Sequence, residues 1–186
     1  MKKFLVATAA TTFLALNLFG QGTGTISFTS VGAPDAKKIS YIYTGYCSGA
    51  GFQAALYWGS NLAETDDRNL TQIGASAAFL TGTSAGTFFG GGRTITTSGS
   101  TVNGPVLTFQ VRVWATASGN SYDTATLRGR GRMFTMKTKD PTNPLETTPN
   151  LWQAPGYEGF MILPEPSVVC LGLLGAGGLL MLRRRK

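Results

Sequence analysis

The sequence contains no histidine. The commonest general base near neutral pH and the commonest neutral metal ligand are therefore both absent. Cysteine is almost as scarce, with two in 186 residues, Cys47 and Cys170. Cys170 sits in an apolar run near the C-terminus, so Cys47 stands alone in the middle of the chain. One cysteine closes no disulfide within a domain and builds no thiolate zinc site. We read Cys47 as a small buried apolar residue, with a reactive thiol or an intermolecular link as the alternatives. Charge is sparse as well, at 13% of residues, although the formal net charge is +7. That excess belongs to the ends: Lys2 and Lys3 open the chain, and Arg183, Arg184, Arg185 and Lys186 close it. Between them stand ten basic and nine acidic side chains. A near-neutral middle has no one-signed field to attract a polyanion, which argues against a nucleic-acid partner. Long helical periodicity is missing from the middle too.

The ends read as addresses. Met1-Lys2-Lys3 precedes an uncharged run from Phe4 to Phe19, closed by Gly20-Gln21-Gly22. A basic start, an apolar stretch and a small residue at its end describe a signal peptide, here residues 1–20. Its partners would be the secretory translocon and signal peptidase. A buried N-terminal helix is disfavoured because Leu5, Val6, Phe13, Leu14, Leu16 and Leu18 cover every helical face. At the other end, Leu163-Pro164-Glu165-Pro166-Ser167 precedes an uncharged run from Val168 to Leu182 and then Arg183-Arg184-Arg185-Lys186. Those 15 apolar residues span about 22 Å as a helix, against a hydrocarbon core of about 30 Å. The stretch is short for a permanent transmembrane helix, though snorkelling arginines and bilayer thinning narrow the gap. The arginine cluster places that end in the cytoplasm and the rest of the chain outside.

The tail resembles the PEP-CTERM sorting signal, which has the tripeptide, the apolar helix and the basic stop in this order. The resemblance covers residues 164–186 and implies that an exosortase, a membrane cysteine protease, cuts near Pro164-Glu165-Pro166. It also implies a bacterial surface protein associated with exopolysaccharide in the extracellular matrix. A sortase signal of the Leu-Pro-x-Thr-Gly kind is rejected, because Pro166-Ser167 stands where Thr-Gly is required. A plain membrane anchor without proteolysis is the remaining rival. Gln21 to Phe28, Ala55 to Gly59 and Phe109 to Trp114 resemble segments of surface proteins from Verrucomicrobia-type genomes that carry the same tail. That second resemblance implies no activity.

Residues 21–163 form the extracytoplasmic domain, rich in Gly, Thr, Ser and Asn. Ile26 and Phe28 share one face of a strand, and Phe52 to Trp58 alternate. In Val106 to Trp114, Leu107, Phe109, Val111 and Val113 form an apolar face, opposed by Thr108, Gln110 and Arg112. This period predicts an antiparallel sheet with one buried and one wet face. Weaker strand signals cover 38–46, 75–80, 87–89, 93–97, 132–136 and 158–163. Glycine-rich turns are expected at Gly49-Ala50-Gly51, Gly90-Gly91-Gly92, Asn103-Gly104-Pro105 and Ser118-Gly119-Asn120. Helical turns fit 63–70 and 122–127, and the prolines of 139–155 fit a surface loop. The fold class is all-β: an antiparallel β-sandwich, jelly-roll-like or open-barrelled, between a signal helix and a transmembrane helix.

No site declares itself. Gly90-Gly91-Gly92-Arg93 lacks the spacing of a phosphate loop. Glu64, Asp66 and Asp67 lack the spacing of a calcium loop, so a solvated acidic turn is favoured over a metal site. Arg128, Arg130 and Arg132 alternate with glycine and suit either contact with an acidic polysaccharide or a charged sheet edge. Tyr57, Trp58, Trp114 and Trp152 are the candidate carbohydrate contacts, with core packing favoured for at least two of them. Glu64, Asp66, Asp67, Asp123, Glu146 and Glu158 supply carboxylates, yet their spacing singles out no glycosidase pair. No cofactor motif is present. The leading expectation is a non-enzymatic exported protein with a structural or adhesive role. A carbohydrate-binding module comes second and a hydrolase third.

Overall fold

The structure is a computed structural model that describes residues 22–42, 45–59, 65–97 and 102–164. The expected signal peptide and the apolar helix at 168–182 lie outside these residues, as do Glu64, Glu165, Pro166, Arg183, Arg184 and Arg185. The described chain is all-β, without an α-helix. No helix among the described residues is long and apolar enough to cross a membrane. Its strands are β1 (Gly22–Thr29), β2 (Ser40–Tyr41), β3 (Gly45–Tyr46), β4 (Phe52–Gly59), β5 (Thr71–Gln72), β6 (Ala77–Ala78), β7 (Phe89–Thr97), β8 (Val106–Ala115), β9 (Leu127–Arg130), β10 (Phe134–Lys137) and β11 (Met161–Pro164).

β1 and β7 form a two-stranded antiparallel ribbon, and the other strands form one sheet ordered β3-β2-β11-β9-β8-β4-β5. β10 also pairs with β8, and β6 with β4. The spine is the antiparallel pair β4–β8, in register from Phe52↔Ala115 to Gly59↔Thr108. One pairing departs from the expected antiparallel rule, because β11 runs parallel to β2 through Met161↔Ser40 and Ile162↔Tyr41. The 38–46 signal resolves into two short strands, β2 and β3, paired antiparallel.

Period-2 alternation places the core where the sequence pointed. Ile26 and Phe28 of β1, Ala54 and Leu56 of β4, Ile95 of β7, and Leu107, Phe109, Val111 and Val113 of β8 share one buried cluster. The ribbon and the large sheet thus close on the same interior. Phe28 and Phe88 lie 4.7 Å apart between ring centres, and Phe79 and Phe88 meet edge-on at 5.7 Å. Burying each such ring stabilises the fold by about 2–3 kcal/mol.

Two expectations fail, each for a physical reason. Gly90-Gly91-Gly92 is no turn; it lies inside β7 and joins two strand signals into one. Ser27 pairs with Gly92 but Thr29 pairs with Phe89, so Phe28 opposes two residues in a β-bulge. Gly91 takes a positive φ of 75° there. A Cβ on Gly90 would stand 2.2 Å from Cδ1 of Phe28. Gly90 is therefore set by the phenylalanine packed on it, and Gly91 by the positive φ of the bulge. The second failure is the wet face of β8: Thr108, Gln110 and Arg112 are all buried. Leu70, Ala125 and the half-buried Tyr122 and Met133 cover that side, making a small second core with Ala55, Tyr57 and Trp114.

The region 139–155 is a loop, as its prolines suggested, but it is tied down. Lys139 exchanges backbone hydrogen bonds with Thr25 (3.0 and 2.8 Å), and the N–H of Ser27 donates to the carbonyl of Pro149. These contacts cover the outer edge of β1, which would otherwise offer unpaired backbone groups. Leu151 plugs the loop into the main core. Of the two expected helical turns, 67–69 is a 3-10 turn. The other is one α-type turn, in which the N–H of Ala125 donates to the carbonyl of Ser121.

Candidate functional site

The sequence-derived sugar contacts do not form one platform. Tyr57 and Trp58 are neighbours on β4, so they point to opposite faces. Trp58 is half-buried against the main core, as is Trp152 in the 139–155 loop. Tyr57 is 6% exposed and Trp114 is 3% exposed. The parity that put Trp114 beside Arg112 is right, but the face they share is covered. The indole N–H groups of Trp114 and Trp152 are buried without a hydrogen-bond partner among the described residues.

What the fold does assemble is a recess of about 450 Å³ over that second core. Arg112 of β8, Arg128 and Arg130 of β9, and Asp67 and Arg68 of the 3-10 turn line it, with Tyr122 and Asp123 of the 121–125 turn. Arg128 and Arg130, separated by two, share a face of β9, and Arg112 is the register partner of Arg130. Arg132 does not join them. It lies beyond the strand end at a separate recess bounded by Met133, Phe134 and Pro155.

Each arginine has a definite setting. The guanidinium of Arg112 is stacked on Tyr57, 4.0 Å from the ring centre, and lies 5.2 Å from the ring centre of Tyr122. Its Nε donates to Oε1 of Gln110 at 2.8 Å, and Nη2 donates to the backbone carbonyl of Asp67. Residue 112 is only 8% exposed, a buried cation held by π-faces and neutral oxygens. Arg128 lies 5.2 Å from the Tyr122 ring centre and donates to the carbonyls of Tyr122 and Asp123, each at 2.9 Å. Arg130 forms an ion pair with the carboxylate of Asp67. Burial raises the Tyr57 hydroxyl above its ordinary range, Asp123 adds to this, and Arg112 opposes it.

The acidic turn is held internally. Asp66 is the N-cap of the 67–69 turn, accepting from the N–H of Arg68 at 3.0 Å. It also pairs with the Arg68 side chain at 2.7 Å. These contacts with Arg68 lower the Asp66 carboxyl to about 2. Cys47 is fully buried in the main core, where desolvation raises its thiol to about 12. Of the sorting tripeptide, Pro164 is described: it closes β11, paired with Leu127.

No protein-family model, curated protein or solved structure matches this chain.

Proposed function

We propose that the chain is an exported surface or matrix protein, sorted through its C-terminal tail and cut by an exosortase. In this reading the translocon and signal peptidase act on residues 1–20, and the tail holds the folded domain briefly outside the membrane. The domain then serves a structural or adhesive, non-catalytic role alongside exopolysaccharide. Its two sheets would form a sandwich of the open, jelly-roll-like kind. The observation that carries the reading is the order Pro164-Glu165-Pro166, uncharged Val168 to Leu182, and Arg183 to Lys186. The end of β11 at Pro164 supports it, because the tripeptide then begins at the last residue of the last strand. A carbohydrate-binding role is the second reading, and the arginine recess favours it over a surface without pockets.

Mass spectrometry of the protein from its native host tests the sorting. The expected product ends near Glu165 or Pro166, without the apolar run. Intact protein still carrying Arg183 to Lys186 would reduce the tail to a plain anchor.

A further inference from the structure

We propose that the recess between β8, β9 and the 67–69 turn is a binding subsite for a carboxylate-bearing sugar unit of an acidic polysaccharide. The choice of a polysaccharide rests on the surface reading above; the choice of a carboxylate rests on the recess itself. Four arginines and two aspartates line it; Asp66 pairs with Arg68 and Asp67 with Arg130, so its positive character rests on Arg112 at the floor. Its volume of about 450 Å³ falls within the usual range of small-molecule sites, about 300–1,000 Å³.

Arg112 gives the recess its chemistry. Its hydrogen bonds go to an amide oxygen and a backbone carbonyl, both neutral. The positive charge at the floor is thus fixed in place by stacking on Tyr57 and is not cancelled by those contacts. A guanidinium already ordered and desolvated loses little further entropy when a carboxylate docks. Arg68 and Arg130 stand at the mouth with side chains 85% and 53% exposed, each paired with an aspartate of the 66–67 turn that a ligand carboxylate would share or displace. The aspartates argue against a multiply charged anion such as a phosphate. Asp123 is exposed at the rim, where it would repel a dianion but accept hydrogen bonds from sugar hydroxyls. One carboxylate among several hydroxyls is the ligand chemistry that suits both signs of lining.

The test is titration calorimetry of the purified full chain in detergent with a short oligogalacturonate, beside a neutral cello-oligosaccharide of equal length. The acidic oligomer is expected to bind, and salt at about 0.5 M to weaken it severalfold. Arg112→Gln should weaken binding about tenfold. Arg68→Glu, at an exposed site that leaves the core untouched, should weaken it about fivefold and decides the matter if Arg112→Gln fails to fold. Equal binding of the neutral oligomer, binding unmoved by Arg68→Glu, or no binding of the acidic oligomer would each overturn the subsite. Inorganic phosphate competing as well as oligogalacturonate would show a general anion hole and overturn it too. The mass of the processed chain end is independent of all these outcomes, so failure here is distinguishable from failure of the sorting reading.

Discussion

Arg112 and Arg130 are register partners across β8 and β9, so two cations stand side by side on one sheet face. Like charges directly opposite are destabilising in an antiparallel pair. Asp67 resolves the conflict from another part of the chain: its carboxylate pairs with Arg130 and its backbone carbonyl accepts from Arg112. Asp67→Asn keeps the carbonyl and removes the carboxylate. It should destabilise the domain by about 1 kcal/mol in urea unfolding at low salt, since the pair is partly exposed. Adding Arg130→Gln should restore most of the loss, because the repulsion disappears with the second cation. Additive losses in the double variant would mean that Asp67 acts through the turn alone.

Removing the floor of the recess is a larger change. Arg112→Leu takes a stacked guanidinium from Tyr57 and leaves the buried Oε1 of Gln110 without its donor, while the Asp67 carbonyl keeps only the Leu70 N–H. One orphaned buried acceptor costs about 1–3 kcal/mol and the lost stacking about 0.5–2 kcal/mol more, so a loss of about 2–4 kcal/mol is expected in chemical denaturation. Arg112→Lys should recover only part of this, because an ammonium cannot both stack and reach two divergent oxygens. Full recovery with lysine would show that charge alone matters there.

These residues also mark what was legible in the sequence. The apolar parity of Leu107, Phe109, Val111 and Val113 needs only local alternation, and it located the core face of β8. The opposite parity, Thr108, Gln110 and Arg112, reads as wet because polar side chains normally are. Its cover comes from Leu70, next to the 67–69 turn, and from Tyr122 and Ala125 in the turn after β8, none of which the alternation within β8 registers. The recess follows the same logic. Arg128 and Arg130 could be seen as one strand face, but their neighbour proved to be Arg112, while Arg132 fell past the strand end. The four aromatic candidates failed as a group because residues 57 and 58 differ in parity and residue 114 lies under the second core.

Gly90 offers a test of packing across the ribbon. An added Cβ would meet Cδ1 of Phe28 at 2.2 Å, and Phe28 is fully buried. Gly90→Ala should therefore cost about 1–3 kcal/mol, the usual range for overpacking a core. The cost should shrink when Phe28 is replaced by leucine, which removes the ring edge that clashes. A cycle of Gly90→Ala and Phe28→Leu, followed by thermal or urea unfolding, measures that coupling. Equal costs of Gly90→Ala in both backgrounds would place the strain in the backbone.

Cys47 links burial to pH. Desolvation raises its thiol from 9.0 to about 12 in the folded chain, and burial raises the hydroxyls of Tyr57 and Tyr157 in the same sense. All three groups are neutral when protonated, and the folded state holds those protons more tightly than the unfolded state. Stability is therefore fully present below the unfolded values and falls as pH rises; for Cys47 the window runs from about 9 to about 12. A Cys170→Ala chain, in which Cys47 is the remaining thiol, should react slowly with a disulfide reagent at pH 8 and rapidly after unfolding in urea. Cys47→Ala should flatten part of the alkaline stability loss and leave the tyrosine part in place. Fast labelling of the folded chain at pH 8 would place the thiol at the surface and remove the basis for this pH dependence.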